Sequence, residues 1–280
     1  MKIYISTDIE GIAGIINFDM ENQDSVIFRE LYNQQIEWVL EGIQQSDKND
    51  EIEEIVIADS HSKGTNLSYN RLTDFDDRVS LISGFPRPEY MMSTLDESFD
   101  QVFFVGYHAG IGKQAGNMDH GYSARAAYKI WINGQYQNET TINAAYAAEM
   151  GVPVTLVVGD SGLKEQLHDE KMFPQVKFVE TKKSLSRYAA WSYPKKKVRA
   201  DTIAAVKEVL SKSAQETELL KYETPAELKM QLYTTAQADT IAQLPAVERL
   251  DGRTIQTHAD SMHDTLNTIL ALVALGNTQN

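Results

Sequence analysis

The chain has 280 residues, no cysteine and a formal net charge of −14. Its length suits one large or two modest domains, and 42% hydrophobic with 24% charged content is ordinary for a globular protein with a real core. The negative charge argues against nucleic acid or an anionic membrane surface as partner. The lack of thiolates leaves any metal to His, Asp and Glu, a donor set that suits zinc, manganese or cobalt.

Ile3–Thr7 reads as a first strand, and Asp8 and Glu10 stand at its end. Positions i and i+2 of an extended chain share a face, so two carboxylates leave that strand together. Two like charges side by side are costly to bury unless a cation neutralises them; the plain alternative is two solvated surface acids. The start has no basic segment leading into a long apolar one, and no run of 18 apolar residues occurs. Neither export through a signal peptide nor a membrane span is expected, and a cytoplasmic location is.

Ser25–Gln45 has helical periodicity, with Val26, Leu31, Ile36, Val39, Leu40 and Ile43 forming a broad apolar face. Glu54–Ala58, Val79–Ile82 and Gln101–Gly106 are short strand-like runs. Ala127–Gln137 alternates around Asn133-Gly134, a tight hairpin signal, and Glu139–Met150 is Ala-rich and helical. Val154–Val158 returns to strand, and Gly159-Asp160-Ser161 opens another helix. Such alternation predicts an α/β fold with a mainly parallel sheet flanked by helices.

After about Glu180 the texture changes. Lys182–Arg199 includes the basic run Lys195-Lys196-Lys197, read as a solvated face, and Asp201–Ser213 is helical. Glu227–Thr234 alternates as a half-exposed strand, Asp251-Gly252 marks a second hairpin within Arg249–Thr257, and Asp260–Leu275 is an amphipathic closing helix. We expect an α/β metal-binding catalytic domain over residues 1–180 and a smaller C-terminal α+β unit over residues 181–280.

The chemistry gathers behind the buried strands. The first ends in Asp8-Ile9-Glu10, the second is followed by Asp59-Ser60-His61-Ser62, and Gln101–Gly106 is followed by Tyr107-His108-Ala109. Open α/β sheets bind ligands beyond the carboxyl ends of their strands, so three strands deliver two carboxylates and two imidazoles to one edge. Singly, His61 reads as readily as a loop histidine and His108 as a packed one; together with Asp8 and Glu10 they read as a metal site. His120 lies in the Gly-rich stretch 110–121, where a loop can hold an imidazole over such a site as acid, base or electrostatic stabiliser. Glu139 alone reads as a favourable acid in a helix's first turn. His168, His258 and His263 read as structural. Gly11-Ile12-Ala13-Gly14 lacks nucleotide-binding spacing, and no cysteine or G-x-S-x-G elbow offers a covalent nucleophile.

These residues carry a resemblance. Ser6-Thr7-Asp8-Ile9-Glu10-Gly11, Asp59-Ser60-His61-Ser62-Lys63, Gly106-Tyr107-His108-Ala109, His120, Asn138-Glu139 and Asn143-Ala144 resemble, in order and spacing, the zinc-dependent D-aminopeptidases of the DppA type. The resemblance runs through most of the chain and is densest before Asp160. It implies two zinc ions per chain, with Asp8 as the bridging ligand and Glu10, His61, His108 and Glu139 as terminal ligands. It puts the catalytic histidine at His120, although the residues flanking His120 depart from the family pattern. It also implies a homo-oligomer, in that family a ring-like decamer enclosing the active sites.

The expected activity is metal-dependent hydrolysis of the N-terminal amide bond of small peptides, D-amino-acid peptides by resemblance, through an activated water. Another dinuclear metallohydrolase, an amidohydrolase or a phosphatase, would use the same cage; a phosphatase also wants cations, and Lys63 and Arg125 are the nearest. A peptide-binding component of a transport system is the non-enzymatic alternative, and it would call for an export signal.

Overall fold

Short apolar runs bounded by polar strand ends build the scaffold of the site. In the computed structural model, which describes residues 1–23 and 25–279, six parallel strands and one antiparallel edge strand form a seven-stranded sheet. In chain order the first elements are β1 (Lys2–Thr7), α1 (Met20–Gln23), α2 (Ser25–Gln44), β2 (Glu54–Asp59), α3 (Tyr69–Phe75), β3 (Val79–Ile82) and β4 (Gln101–Tyr107). A hairpin β5 (Ala127–Ile132) and β6 (Gln135–Gln137) leads to α4 (Glu139–Glu149), β7 (Val154–Asp160) and α5 (Ser161–Lys164). Then come β8 (Lys177–Ser186), β9 (Ala189–Ser192), α6 (Lys195–Leu210), β10 (Ala226–Leu232), α7 (Thr235–Ile241), β11 (Glu248–Arg249), β12 (Thr254–Ala259) and α8 (Met262–Asn277). None of the described helices is long and apolar enough to cross a membrane.

The large sheet runs β3-β2-β1-β4-β7-β8-β9. Its order extends from β1 through β2 to β3 in one direction and through β4 to β7 and β8 in the other. The reversal between β1 and β4 opens a crevice at their carboxyl ends, where α/β sheets bind ligands. Alternate residues face opposite layers. Ile3, Ile5, Ile55, Ile57, Phe103 and Val105 pack beneath α2 and α6, while Tyr4, Val56, Val102 and Phe104 pack towards α4, α8 and the second sheet. A sheet covered on both faces needs apolar side chains of both parities, which is why its strands read as continuous hydrophobic runs.

The second sheet has five antiparallel strands in the order β11-β12-β10-β5-β6. It draws the β5–β6 hairpin from before residue 180 and β10–β12 from after it. The division expected between residues 180 and 181 falls inside β8, which pairs in parallel with β7 and so continues the large sheet. Two expectations about local structure are corrected. Val26 is 81% exposed, and Phe28 and Tyr32 take its place on the buried face of α2. The helix expected from Asp201 already starts at Lys195, whose basic run is exposed as expected, while Lys182, further up the chain, is wholly buried in β8.

Candidate metal centre

Two glycines let β1 deliver its acids. Gly106, at the end of β4, has φ +84°, and a Cβ there would lie 1.9 Å from the Asp8 carbonyl oxygen. A Cβ on Gly11 would lie 2.0 Å from the Tyr107 carbonyl oxygen. The Asp8 N–H donates to the Val105 carbonyl at 2.8 Å and the Gly11 N–H to the Gly106 carbonyl at 2.7 Å. The segment carrying Asp8 and Glu10 thus lies directly on the end of β4, beside His108.

The sequence-predicted residues converge. His61 Nδ1 is 3.1 Å from Asp8 Oδ1 and 3.4 Å from Glu10 Oε1. His108 Nε2 is 3.7 Å from Asp8 Oδ2 and 3.8 Å from Glu139 Oε1. Asp8 therefore stands between the two imidazoles, presenting one oxygen to each. His120 Nε2 is 3.8 Å from Glu10 Oε1, and its ring stacks on His108 with centroids 4.3 Å apart. Glu139 reaches the group from the first turn of α4, which is fixed by a capping box between Asn138 and Thr141. Asp59 is not part of the group; its carboxylate accepts from the backbone of Asn66 and Leu67 and holds the loop that carries His61.

The cage is buried, and charge decides how it titrates. Burial and the neighbouring Glu10 push the Asp8 carboxyl upward, against the pull of His61. Burial also pushes Glu10 upward, but His61 and His108 outweigh it and hold its carboxyl down at about 2. Burial raises Glu139 to about 8 despite His108. Burial disfavours the charged form of His108, yet Glu139, Glu10 and Asp8 raise it to about 9. His61 likewise moves well above the usual imidazole range, burial being overcome by Glu10, Asp8 and Glu21. His120 goes the other way: burial and the neighbouring His108 lower it to about 3, so it stays neutral.

Metal ligation fits this donor set on structural grounds. Both Glu10 carboxylate oxygens, His108 Nε2 and Glu139 Oε1 are buried without a hydrogen-bond partner among the described residues. Unsatisfied buried polar atoms are expensive, and these four, all of ligand type, fit cations bound around His108. Two overlapping groups, Asp8–Glu10–His108 and His108–His120–Glu139, each bring three ligand atoms within 4.8 Å of one another.

Sequence reading missed the supports. His108 Nδ1 donates to the Ala109 carbonyl and His120 Nδ1 to the Met118 carbonyl, both at 2.9 Å, which turns each Nε2 into the cage. Arg187, at the tip of the β8–β9 hairpin, holds the His120 loop. Its side chain donates to the Asp119 carbonyl and carboxylate, both at 2.7 Å, and its own carbonyl accepts the Met118 N–H. Beside the cage lies a cavity of about 230 Å³, lined by Phe18, Tyr90, Met91 and Tyr122 along with cage residues, and among the described residues by no Lys or Arg. His168 donates to the Val176 carbonyl, and His263 lies 3.3 Å from Glu89, both apart from the cage.

A parallel α/β sheet with buried carboxylates and imidazoles at its switch point defines a metal-dependent hydrolase. The sequence profile of the D-aminopeptidase family, Peptidase_M55, matches residues 1–271, and the chain belongs to that family; it is a metallo-aminopeptidase. The D-aminopeptidase of Bacillus subtilis strain 168 is 28% identical over 283 residues, covering 98% of this chain and 97% of that protein. A solved structure described as the zinc-dependent D-aminopeptidase DppA from Bacillus subtilis, a self-compartmentalizing protease, superposes with a TM-score of 0.89. It shares 25% sequence identity, over 99% of this chain and 98% of that one.

Proposed function

We propose that this aminopeptidase removes the N-terminal residue from short D-amino-acid peptides at a dinuclear zinc centre. Asp8 would be the shared ligand, with Glu10 and His61 available to one metal and His108 and Glu139 to the other. The observation that carries the pairing is Asp8, whose two oxygens face different imidazoles. Five ligand side chains also exceed the three protein ligands of a single catalytic zinc. The zinc chemistry and the D-peptide preference come from the relatives' descriptions.

Zinc, when bound, supplies Lewis acidity that polarises a carbonyl and lowers the pKa of a water to about 7. The chain's own residues do the rest. The cage side chains are almost wholly buried, which limits the water around them. His120, whose single N–H is held at Nδ1 by the Met118 carbonyl, presents a bare Nε2 to the cage, where it takes a proton from the attacking water and passes it to the leaving amine. A cavity of about 230 Å³ admits a small peptide terminus, and its acidic wall suits a free ammonium. The lack of a cation in that wall disfavours a phosphate ester.

The description of the relative as self-compartmentalizing supports a homo-oligomer here, with a decamer as the expected size. The test of function is elemental analysis of metal per chain, run beside a panel of D- and L-aminoacyl amides and a nitrophenyl phosphate. Two zinc ions and faster cleavage of D-amides are expected. Saturation at one metal under excess zinc overturns the pairing, and turnover of the phosphate alone overturns the peptidase reading.

A further inference from the structure

The three histidines of the centre do not present the same nitrogen. His108 and His120 turn Nε2 inward, each anchored through Nδ1 by a backbone carbonyl of its own loop. His61 turns Nδ1 inward, towards Asp8 and Glu10, and its outer nitrogen meets no carbonyl. Instead, His61 Nε2 lies 2.7 Å from Glu21 Oε1. A neutral imidazole carries one proton, and a ligating nitrogen cannot hold it. With Nδ1 facing the cage, the proton must sit on Nε2, where Glu21 accepts it.

From this contact we infer that Glu21 is a positioning residue for the metal centre: its carboxylate fixes His61 in the Nε2–H tautomer and aims Nδ1 at the site shared with Asp8 and Glu10. The inference rests on the dinuclear reading above. A carboxylate behind a metal-bound imidazole sets the ring's orientation and raises its donor strength, and losing such a partner costs 10–100-fold in metal affinity.

The chain is built to bring Glu21 there. The segment after Glu10 is pinned from the far side of the sheet: Thr181 Oγ1 donates to the Gly11 carbonyl, the Gly14 N–H donates to Ser192 Oγ at 2.8 Å, and Lys182 Nζ donates to the Ile15 carbonyl. Asn117 Nδ2 holds the Ile16 carbonyl at 3.0 Å, and Asn17 Oδ1 accepts the Met20 N–H at 3.2 Å, at the start of α1. Five anchors thus fix the segment between Glu10 and Glu21, and Asp8 and Glu21 both meet His61. The Phe28 ring, 6.3 Å from the imidazole, closes its outer side.

The test is zinc binding by chelator competition on metal-stripped protein, for the parent, Glu21→Ala, Glu21→Gln and His61→Ala. Glu21→Ala should weaken one of the two zinc sites by about 10–100-fold. Glu21→Gln, which keeps a carbonyl oxygen able to accept the same proton, should stay within a few-fold of the parent. His61→Ala marks full loss of that site. The absorption spectrum of the cobalt-loaded protein should shift in Glu21→Ala and not in Glu21→Gln. Should the alanine variant not fold, Glu21→Met serves in its place, with similar size and no strong acceptor. Parent-like zinc affinity in Glu21→Ala overturns the inference, as does equal loss in Ala and Gln. A rise in KM with unchanged metal affinity also overturns it and makes Glu21 a contact to the substrate amine. Retention of both metals in His61→Ala shows that His61 is no ligand and overturns the inference, whereas saturation of the parent at one metal under excess zinc defeats the dinuclear reading itself, a separate failure.

Discussion

Loading the stripped centre with zinc should expel protons, and their number follows from the cage. Ligation requires bare carboxylates and neutral imidazoles. Without metal, His108 is raised to about 9 by Glu139, Glu10 and Asp8, and Glu139 is raised to about 8 by burial. His61 also lies well above its ordinary range. All three side the same way at pH 7, holding a proton that a metal must displace. Because these neighbours titrate together, the release is about two to three protons per chain rather than three independent ones. The sign is fixed: raised pKa values make protons better competitors as pH falls, so affinity drops through pH 7 and levels off above about 9. Two to three protons correspond to a roughly 100- to 1,000-fold loss of zinc affinity between pH 7 and pH 6. Titration calorimetry at pH 7 in buffers of different ionisation heat reads the proton count directly. A release near zero, or an affinity indifferent to pH between 6 and 8, would refute the assignment of His61, His108 and Glu139 as ligands.

Other outcomes separate the roles around the cage. His120→Ala should keep its metal and lose about 10²–10⁴-fold in kcat with little change in KM, while His61→Ala and His108→Ala lose metal and activity together. A His120→Ala protein as metal-poor as the other two would make His120 a ligand, in keeping with its place beside His108 and Glu139. Gly106→Ala should cost more than the ~1–2 kcal/mol of left-handed backbone strain, and so lower the thermal midpoint, because its Cβ would also meet the Asp8 carbonyl at 1.9 Å. It should release metal as well; an unchanged midpoint and metal content would show that β4 yields at this point.

Asp8, Glu10, His61 and His108 were legible because each stands within three residues of the end of a strand made of buried apolar residues, and such ends share an edge. Glu139 and His120 were not legible that way. One opens a helix, where an acid has a local reason to be; the other hangs on a loop whose path depends on Arg187, far along the chain. Resemblance alone singled them out. β8 was hidden by its own composition: KFVETKKSLS carries three lysines, and nothing in the pattern marks Lys182 as the buried one. The hairpin β5–β6 was recognised as a hairpin, but its sheet partner β10 lies about a hundred residues on, a distance over which local signals say nothing. Glu21 was passed over because its partner is fixed by a fold, not by a spacing.

The parallel pairing of β1 with β2 and β4 has a consequence for the order of events in the cell. Ile3 pairs with Ile55 and with Gln101, so the proposed ligands at residues 8, 61 and 108 meet only after loops of about 50 and 100 residues have closed. Such non-local contacts form slowly, and no shorter stretch of this chain holds more than two of the ligands. The metal cannot nucleate folding as it does in a small zinc module. It arrives at a finished scaffold, so a nascent or truncated chain stays inert until the sheet has closed.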